Sequence, residues 1–358
     1  MIRSLLSADY PRSRLVAAIL LAILVALALA PFLFPGARSL AVAAKILVFI
    51  LLVASYDLLL GYTGIVSFAH TMFFGIGAYG VAIASTRMGP GWDAVAVGVG
   101  CALALSALLA LVIGLFSLRV KAIFFAMITL AVAAAFQTLA SQLSEFTGGE
   151  DGLSFKVPEL LQPSFELFED TVLGVSIDGR LLSYYLLFAV VLALFLVLLR
   201  IVNSPFGRVL QAIRENDFRA EALGYRTVVF RTISNVLAAV FATLAGALLA
   251  IWLRYNGPDT TLSFEIMLDT LLIVVIGGMG TMYGAVIGSA LFVFAQSYLQ
   301  DLMGWLSGGF EAVPLLAALF SPDRWLLWLG VLFVLSVYYF PAGVVGRLRA
   351  RALARSGG

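Results

Sequence analysis

Two aspartates, Asp57 and Asp269, stand inside apolar stretches of this sequence, and each is followed by a cluster of glycines. A carboxylate within a membrane span costs about 2.5–3.5 kcal/mol on insertion scales and usually faces the bundle interior or water. Paired glycine-interrupted segments point to the substrate path of a transporter. Alternatively, each aspartate pairs with a neighbouring helix or lies at an interface. The candidate path residues are Asp57, Gly61, Gly64, Ser67, His70, Asp269, Gly277, Gly278 and Gly280.

The single histidine, His70, follows Gly61 by nine residues. It either hydrogen-bonds across a helix interface or has a substrate or proton role, and the sequence leaves both open. Gly61 and Gly64 fit a turn or an unwound segment that exposes backbone groups toward a cavity. Later glycines of the same stretch, such as Gly77, fit close helix packing, because small residues let two backbones approach.

Motifs for enzymatic chemistry are missing from the sequence. No lysine follows a glycine, so a phosphate-binding G-x-x-x-x-G-K-[S/T] loop cannot form. One histidine cannot supply H-E-x-x-H, and G-x-S-x-G does not occur. A single cysteine, Cys101, excludes an internal disulfide and a zinc cluster. We therefore expect a protein that is not an enzyme and that holds neither a cofactor nor a metal.

Composition places the chain in a membrane. Apolar residues make up 62% and charged residues 12% of the sequence, with a mean hydropathy of +1.07, whereas about a quarter of a soluble protein is charged. Its apolar runs match the ~20 residues that a helix needs to cross the hydrocarbon core. Transmembrane β-strands alternate apolar and polar residues, but residues 16–30 are apolar throughout. The predicted fold is an all-α, polytopic transmembrane bundle of about eight to ten spans.

Turn residues separate ten predicted spans, two of them weak. The first run resembles a signal peptide, but its length favours a retained span. The longest polar stretch, 144–180, is too short for a core of its own, so residues 1–358 are predicted to form one transmembrane domain. The predicted spans are 15–34, 40–60, 65–85, 94–118, 122–143, 181–201, 228–252, 264–276, 282–300 and 325–343.

Charge in the loops predicts the orientation, because cytoplasmic loops are enriched in arginine and lysine. Basic residues cluster near both termini, which an even number of spans places together in the cytoplasm. The 144–180 loop carries eight acidic residues and is predicted to be extracytoplasmic. The 202–227 loop, rich in arginine, is predicted to be cytoplasmic.

The most highly charged window is NSPFGRVLQAIRENDFRAEALGY, residues 203–225, inside that cytoplasmic loop. Ser204 is a good N-cap, Pro205 fits the first helical position, and Gly224 supplies a helix stop. An amphipathic helical hairpin is predicted.

Three interpretations of this hairpin remain open. It is a solvated loop, a helix lying on anionic lipid, or a docking surface for a soluble partner. In the third case Phe206, Leu210 and Ile213 would be the anchors in the partner's groove. Acidic residues among the arginines argue against lipid attraction alone.

Four blocks give the chain a wider resemblance: GYTGIVSFAHTMFFGIGAYG, FTGGEDGLSF, NSPFGRVLQAIRENDFRAEALGY and IGGMGTMYGAVIG. Through these four blocks, which occur in the expected order, the chain resembles the LivM-type permease subunit of branched-chain amino-acid ABC transporters. Importer permeases for urea or short amides are similar over the same blocks. Two other classes stay open, a secondary transporter or channel that works alone and a membrane scaffold that does not transport.

The resemblance implies alternating access in a bacterial inner membrane, a second permease subunit, two cytoplasmic ATPase subunits and an extracytoplasmic substrate-binding protein. It implies no cofactor on this chain, because the partners hydrolyse ATP, and contact with lipid but not with nucleic acid. Glu221-Ala222-Leu223-Gly224 matches the family's loop signature but departs from the broader Glu-Ala-Ala pattern, which leaves the helix register open. The implied ATPase-coupling residues are Phe206, Gly207, Arg208, Leu210, Ile213, Arg214, Glu215, Asn216, Glu221 and Gly224.

Overall fold

The computed structural model describes residues 14–33, 36–117, 122–166, 177–309, 319–339, 343, 345 and 346. Seven helices of the described chain are long and apolar enough to cross a membrane, judged by length and composition. The all-α, multi-pass bundle predicted from the sequence is confirmed. Nearly all of the basic residues near the two termini that oriented the prediction lie outside the described residues.

Each predicted span coincides with a helix, and one boundary needs correction. The span predicted at 65–85 begins only at His70, because residues 61–69 are not helical. The helices are α1 Arg14–Ala28, α2 Ala30–Leu33, α3 Ala37–Leu60, α4 His70–Met88, α5 Trp92–Ser117, α6 Ala122–Gln142, α7 Ser144–Thr147, α8 Gly179–Val202, α9 Pro205–Glu215, α10 Asp217–Ala222, α11 Thr227–Leu253, α12 Pro258–Thr261, α13 Phe264–Gly277, α14 Met282–Gly309 and α15 Trp325–Tyr339.

Helix α3 forms the centre of the bundle. From Ala43 to Leu59 it is buried almost without interruption, apart from Lys45. It packs against α8, α11, α13 and α14. A helix that is apolar on all sides is expected to be enclosed in this way.

Glycines bring α4 and α11 together. Gly77 of α4 lies against the backbone of Thr243, and Gly246 of α11 lies against the backbone of Phe74, so that a Cβ on either glycine would collide. Close packing at Gly77 is therefore confirmed. This contact gives α4 a fixed position just after the unwound segment 61–69.

Helix α1 is tied to the bundle by two tyrosines of α8. The Tyr184 hydroxyl donates to the Leu27 carbonyl at 2.5 Å, and the Tyr185 hydroxyl donates to the Ala28 carbonyl at 3.0 Å. These bonds satisfy carbonyls that have no partner within α1 at its C-terminal end. In the structure α1 is an integrated helix of the bundle.

Residues 203–226 connect α8 to α11 and are called the 203–226 loop below. A two-stranded antiparallel pair lies at the opposite end of the bundle, because α11 runs from that loop to the second strand. Strand β1, Leu153–Ser154, pairs with β2, Tyr255–Asn256. Leu153 faces Asn256 and Ser154 faces Tyr255. This pairing, absent from the sequence-based prediction, fixes part of the 144–180 loop.

Candidate functional site

The first break in the helices lies between Leu60 and His70. Its segment is largely enclosed, because Tyr62, Thr63 and Ser67 are buried, and the Thr63 hydroxyl lies 3.0 Å from that of Ser234. Gly64 has a φ of +75°, a left-handed conformation that glycine adopts without steric cost. The unwound segment predicted from the glycines is confirmed.

The second break lies between α13 and α14, at residues 278–281. Gly280 has a φ of +78°, and the Thr281 hydroxyl donates to the Gly278 carbonyl at 2.7 Å. Gly277 packs against the backbone of Gly284, which holds α13 close to the start of α14. The two helices therefore form a tight hairpin whose turn is the second break.

The structure brings the two breaks into contact. Oδ1 of Asp57 accepts a hydrogen bond from the Gly280 amide at 2.9 Å. Gly61 lies so close to the Gly280 nitrogen that a Cβ at Gly61 would collide with it. Asp57 is only 1% exposed. The carboxylate thus joins the end of α3 to the turn between α13 and α14.

Arg214 of the 203–226 loop reaches this junction. Its guanidinium donates to the Gly61 carbonyl. Its side chain also lies beside one further glycine of each break: a Cβ at Gly64 would lie 3.2 Å from Arg214 Cγ, and one at Gly280 would lie 2.8 Å from Nη1. One arginine therefore contacts both breaks.

His70 hydrogen-bonds to another helix. The Ser55 hydroxyl donates to the Leu52 carbonyl at 2.7 Å, so its oxygen is left to accept from His70 Nε2 at 2.8 Å. The imidazole is 1% exposed and its ring lies 5.2 Å from that of Tyr56. This geometry matches the interface interpretation, and a substrate or proton role of His70 stays a prediction.

Asp269 is placed apart from the junction. It accepts a hydrogen bond from Gln296 Nε2 at 3.2 Å, and Gln296 Oε1 accepts one from Lys45 Nζ at 2.9 Å. This Lys45–Gln296–Asp269 chain links α3, α14 and α13. Sequence reasoning missed Lys45 and Gln296, although a lysine in the predicted span 40–60 was a signal.

The 203–226 loop forms two short helices, α9 and α10. The Ser204 hydroxyl accepts from the Gly207 amide at 3.5 Å at the start of α9, with Pro205 next. Asn216 separates the helices and caps α10, because its Oδ1 accepts from the Arg219 amide at 2.9 Å. Gly224 follows the end of α10 with a φ of +91°. The predicted caps and the hairpin are confirmed.

The apolar stripe of α9 faces the protein's own bundle. Leu210 is fully buried and Ile213 is 1% exposed, and the Phe206 ring stacks on Phe230 at a centroid distance of 5.7 Å. The expectation that these residues anchor a soluble partner needs correction, because α8 and α11 already cover this face of α9.

The exposed apolar residues of the loop lie further along it. Phe218 is 86% exposed and Leu223 is 72% exposed, beside the half-exposed Tyr225. Sequence reasoning missed them because they do not continue the stripe of α9. Among the other predicted coupling residues, Arg208, Glu215, Asn216, Glu221 and Gly224 are exposed and Gly207 is buried.

Acidic residues of the loop bind groups of the same chain. Asp217 forms an ion pair with Arg231 of α11 at 3.1 Å, and Glu221 Oε1 accepts from the Thr227 hydroxyl at 2.7 Å. These contacts attach α10 to the start of α11. The loop is therefore held to the bundle on both sides, by α9 packing and by polar contacts.

A cavity of about 410 Å³ lies between α4, α5 and α6. Its lining is mainly apolar and includes Tyr79, Cys101 and Phe136. None of the predicted path residues lines it. The breaks are instead packed against each other and against Arg214.

Comparison with known proteins adds a family and several relatives. Residues 38–337 match the family model described as the permease component of branched-chain amino acid transport systems. The chain is 26% identical to the high-affinity branched-chain amino acid transport system permease protein LivM of Salmonella typhimurium, over 94% of this chain and 77% of the relative.

Two further relatives are each 26% identical over 263 residues. The probable LivM protein of Methanocaldococcus jannaschii aligns over 70% of this chain and 69% of its own length. The permease protein BraD of Pseudomonas aeruginosa aligns over 71% of this chain and 82% of its own length. No solved structure matches this chain.

Proposed function

Because the chain belongs to the family of permease components of branched-chain amino acid transport systems, we propose that it is the membrane subunit of an ATP-binding-cassette importer. Its cargo would be amino acids of the leucine, isoleucine and valine type, which enter a bacterial cell across the inner membrane by alternating access. The match over residues 38–337 carries this proposal. The substrate class is inferred from the names of the relatives.

The proposed motor is a pair of cytoplasmic ATPase subunits, and the 203–226 loop is where one of them binds. Phe218, Leu223 and Tyr225 form the docking surface, an exposed apolar set on a loop whose other exposed residues are mainly charged or polar. Aromatic side chains are frequent anchors in protein interfaces. Since α9 is packed against the bundle, a force applied to the docking surface would reach the membrane helices.

A second permease subunit is proposed to cover α6. This helix is little enclosed by its own chain: Ile123 is 75%, Phe124 58% and Met127 62% exposed. Lipid would cover the part of this face that the partner leaves free. The Phe68 backbone amide of the first break donates to Thr129 of α6 at 3.0 Å, so a partner on α6 would lie next to the unwound segment.

An extracytoplasmic binding protein is proposed to meet the opposite end of the bundle. There the 144–166 part of the loop exposes Glu145, Glu150, Asp151 and Glu159, with Lys156 among them. Such an acidic surface suits a receptor with a basic rim, because complementary charge steers association. Both termini and the 203–226 loop are then proposed to be cytoplasmic.

Reconstitution tests the transport proposal. The chain is assembled in liposomes with the ATPases, sister permease and receptor encoded beside its gene, and [¹⁴C]leucine uptake is followed with and without ATP. Uptake that requires ATP and receptor is expected, with no uptake of [¹⁴C]urea. Urea uptake by the same assembly would place the cargo among small amides. Leucine uptake by the chain alone, down an ion gradient, would contradict the ATPase-driven mechanism.

The double variant Phe218→Asp/Leu223→Asp tests the docking surface. It is expected to abolish co-purification of the ATPases without loss of the folded permease, because both side chains point to solvent. Gln211→Asp, also exposed but outside the docking surface, is the matched control and should retain them. ATPases that still co-purify with the double variant would refute this surface.

Cysteine labelling tests the orientation. The single native cysteine is removed by Cys101→Ala, and Gln211→Cys places a thiol in the loop. A membrane-impermeant maleimide should label this thiol in inside-out vesicles and leave it unlabelled in intact cells. Labelling in intact cells would place the loop outside and would contradict ATPase docking there.

A further inference from the structure

We propose that Arg214 is the positioning residue that transmits movement of the 203–226 loop to both helix breaks. This inference rests on the proposed function, in which an ATPase moves that loop. Arg214 belongs to α9, yet its guanidinium reaches the Gly61 carbonyl at the end of α3 and lies beside Gly280 in the turn between α13 and α14.

The first contact completes the end of α3. The last carbonyls of a helix have no partner within it, and a cation near them also interacts favourably with the helix dipole. Gly61 is the C-cap residue of α3, and Arg214 donates to its carbonyl. Any shift of α9 that carries Arg214 along must therefore break this bond or displace the end of α3.

The second contact, with Gly280 in the α13–α14 turn, explains why an arginine suits position 214. Arginine carries five N–H donors on a rigid plane, so it can contact two neighbouring backbone segments in a fixed geometry. The stem of Arg214 lies on Gly64 and its Nη1 lies beside Gly280. A lysine would keep the charge but present a single flexible ammonium group, and we expect it to hold one break less firmly.

A buried acid completes the junction. Asp57 accepts from the Gly280 amide through Oδ1, and Nη1 of Arg214 lies beside the same glycine. Its Oδ2 is buried without a hydrogen-bond partner among the described residues. The three elements α3, α9 and the α13–α14 turn are thus joined through one arginine and one aspartate. Movement of α9 relative to the other two would have to rearrange the contacts of Arg214, while the Asp57–Gly280 bond would keep α3 and the turn together.

The central experiment separates docking from transmission in the reconstituted transporter. Arg214→Ala is compared with the wild type and with Arg226→Ala, which removes another exposed cation of the same loop. ATPase co-purification, ATP hydrolysis and leucine uptake are measured on the same preparations. For Arg214→Ala we expect retained ATPase subunits and ATP hydrolysis, but roughly tenfold less leucine moved per ATP, a typical size for a coupling between sites. Arg226→Ala should transport like the wild type, and Arg214→Lys should fall between.

Two results would overturn the proposal. Loss of the ATPases from Arg214→Ala would mean that Arg214 acts at the docking surface. A fall of transport in step with the amount of folded protein, at unchanged leucine per ATP, would mean that its role is only structural. A wild-type assembly without ATP-driven uptake would instead contradict the proposed function and would leave Arg214 to be judged by the next two measurements.

These two measurements use the full-length permease alone. By hydrogen–deuterium exchange, Arg214→Ala should increase exchange at the amides of residues 61–65 and of Gly280, whereas Arg226→Ala should not. In a double-mutant cycle with Asp57→Asn, the losses of thermal stability should be non-additive, as for residues in one network. Unchanged exchange at the two breaks, or additive losses, would refute the link.

Discussion

The Asp57 carboxylate and the Gly280 amide are 223 residues apart in sequence and form a hydrogen bond of 2.9 Å inside the bundle. This bond joins the end of the second helix crossing to a turn near the end of the chain. The bond therefore holds the two glycine breaks together as one structural unit.

Removing this acceptor should destabilise the permease. Asp57→Ala leaves the Gly280 amide without its partner, and a buried unsatisfied donor costs about 1–3 kcal/mol. Asp57→Asn keeps an oxygen that can accept the same bond, so its loss should be smaller. Unfolding of the purified chain in detergent measures both variants. Equal losses would show that the charge of Asp57, and not the bond to Gly280, sets the stability.

Gly280 should not tolerate a side chain. Its left-handed conformation costs a non-glycine residue about 1–2 kcal/mol, and a Cβ would lie 2.9 Å from the Gly61 carbonyl oxygen. Gly280→Ala is therefore expected to lower both thermal stability and transport. Gly100→Ala is the matched control, since Gly100 lies in α5 with no heavy atom near its Cβ position, and alanine there should be neutral or stabilising by up to about 1 kcal/mol. Similar effects of the two substitutions would contradict the junction.

Local signals predicted much of this architecture. The length of the apolar runs predicted the helices. Ser204 and Pro205 predicted the start of α9, and Gly61 with Gly64 predicted the unwound segment. Each of these features depends on residues close together in sequence, where capping and backbone preference act directly.

Contacts between residues far apart in the sequence could not be predicted, for a physical reason. Helical spacing shows that Leu210 and Ile213 share a face, but not whether that face turns to a partner or to the protein's own bundle. It faces the bundle, and the exposed apolar residues are Phe218 and Leu223. The strand pair at Leu153–Ser154 is too short for an alternating pattern.

The bond between His70 and Ser55 predicts which replacements of His70 are tolerated. Glutamine can place an N–H near the position of Nε2 and so keep the donation to the Ser55 oxygen. Asparagine is too short to reach it and would leave the buried hydroxyl without this partner. We expect His70→Gln to keep most of the thermal stability and His70→Asn to lose about 1–3 kcal/mol. Equal stability of the two, combined with a large change in leucine KM for both, would instead indicate that His70 contacts substrate.

The Lys45–Gln296–Asp269 chain predicts a large effect for a residue with no charge. Gln296 donates to Asp269 at 3.2 Å and accepts from Lys45 at 2.9 Å, so Gln296→Leu removes a partner from both ionisable groups at once. Both bonds involve a charged group and all three side chains are half-buried, so the expected loss of stability is about 1–3 kcal/mol. Gln300→Leu, one turn further along α14 and exposed, is the control that adds the same apolar side chain and should have little effect. The stability of both variants is measured by thermal unfolding of the purified permease. If Gln296→Leu is as stable as Gln300→Leu, the Lys45–Gln296–Asp269 hydrogen bonds do not hold α3, α13 and α14 together.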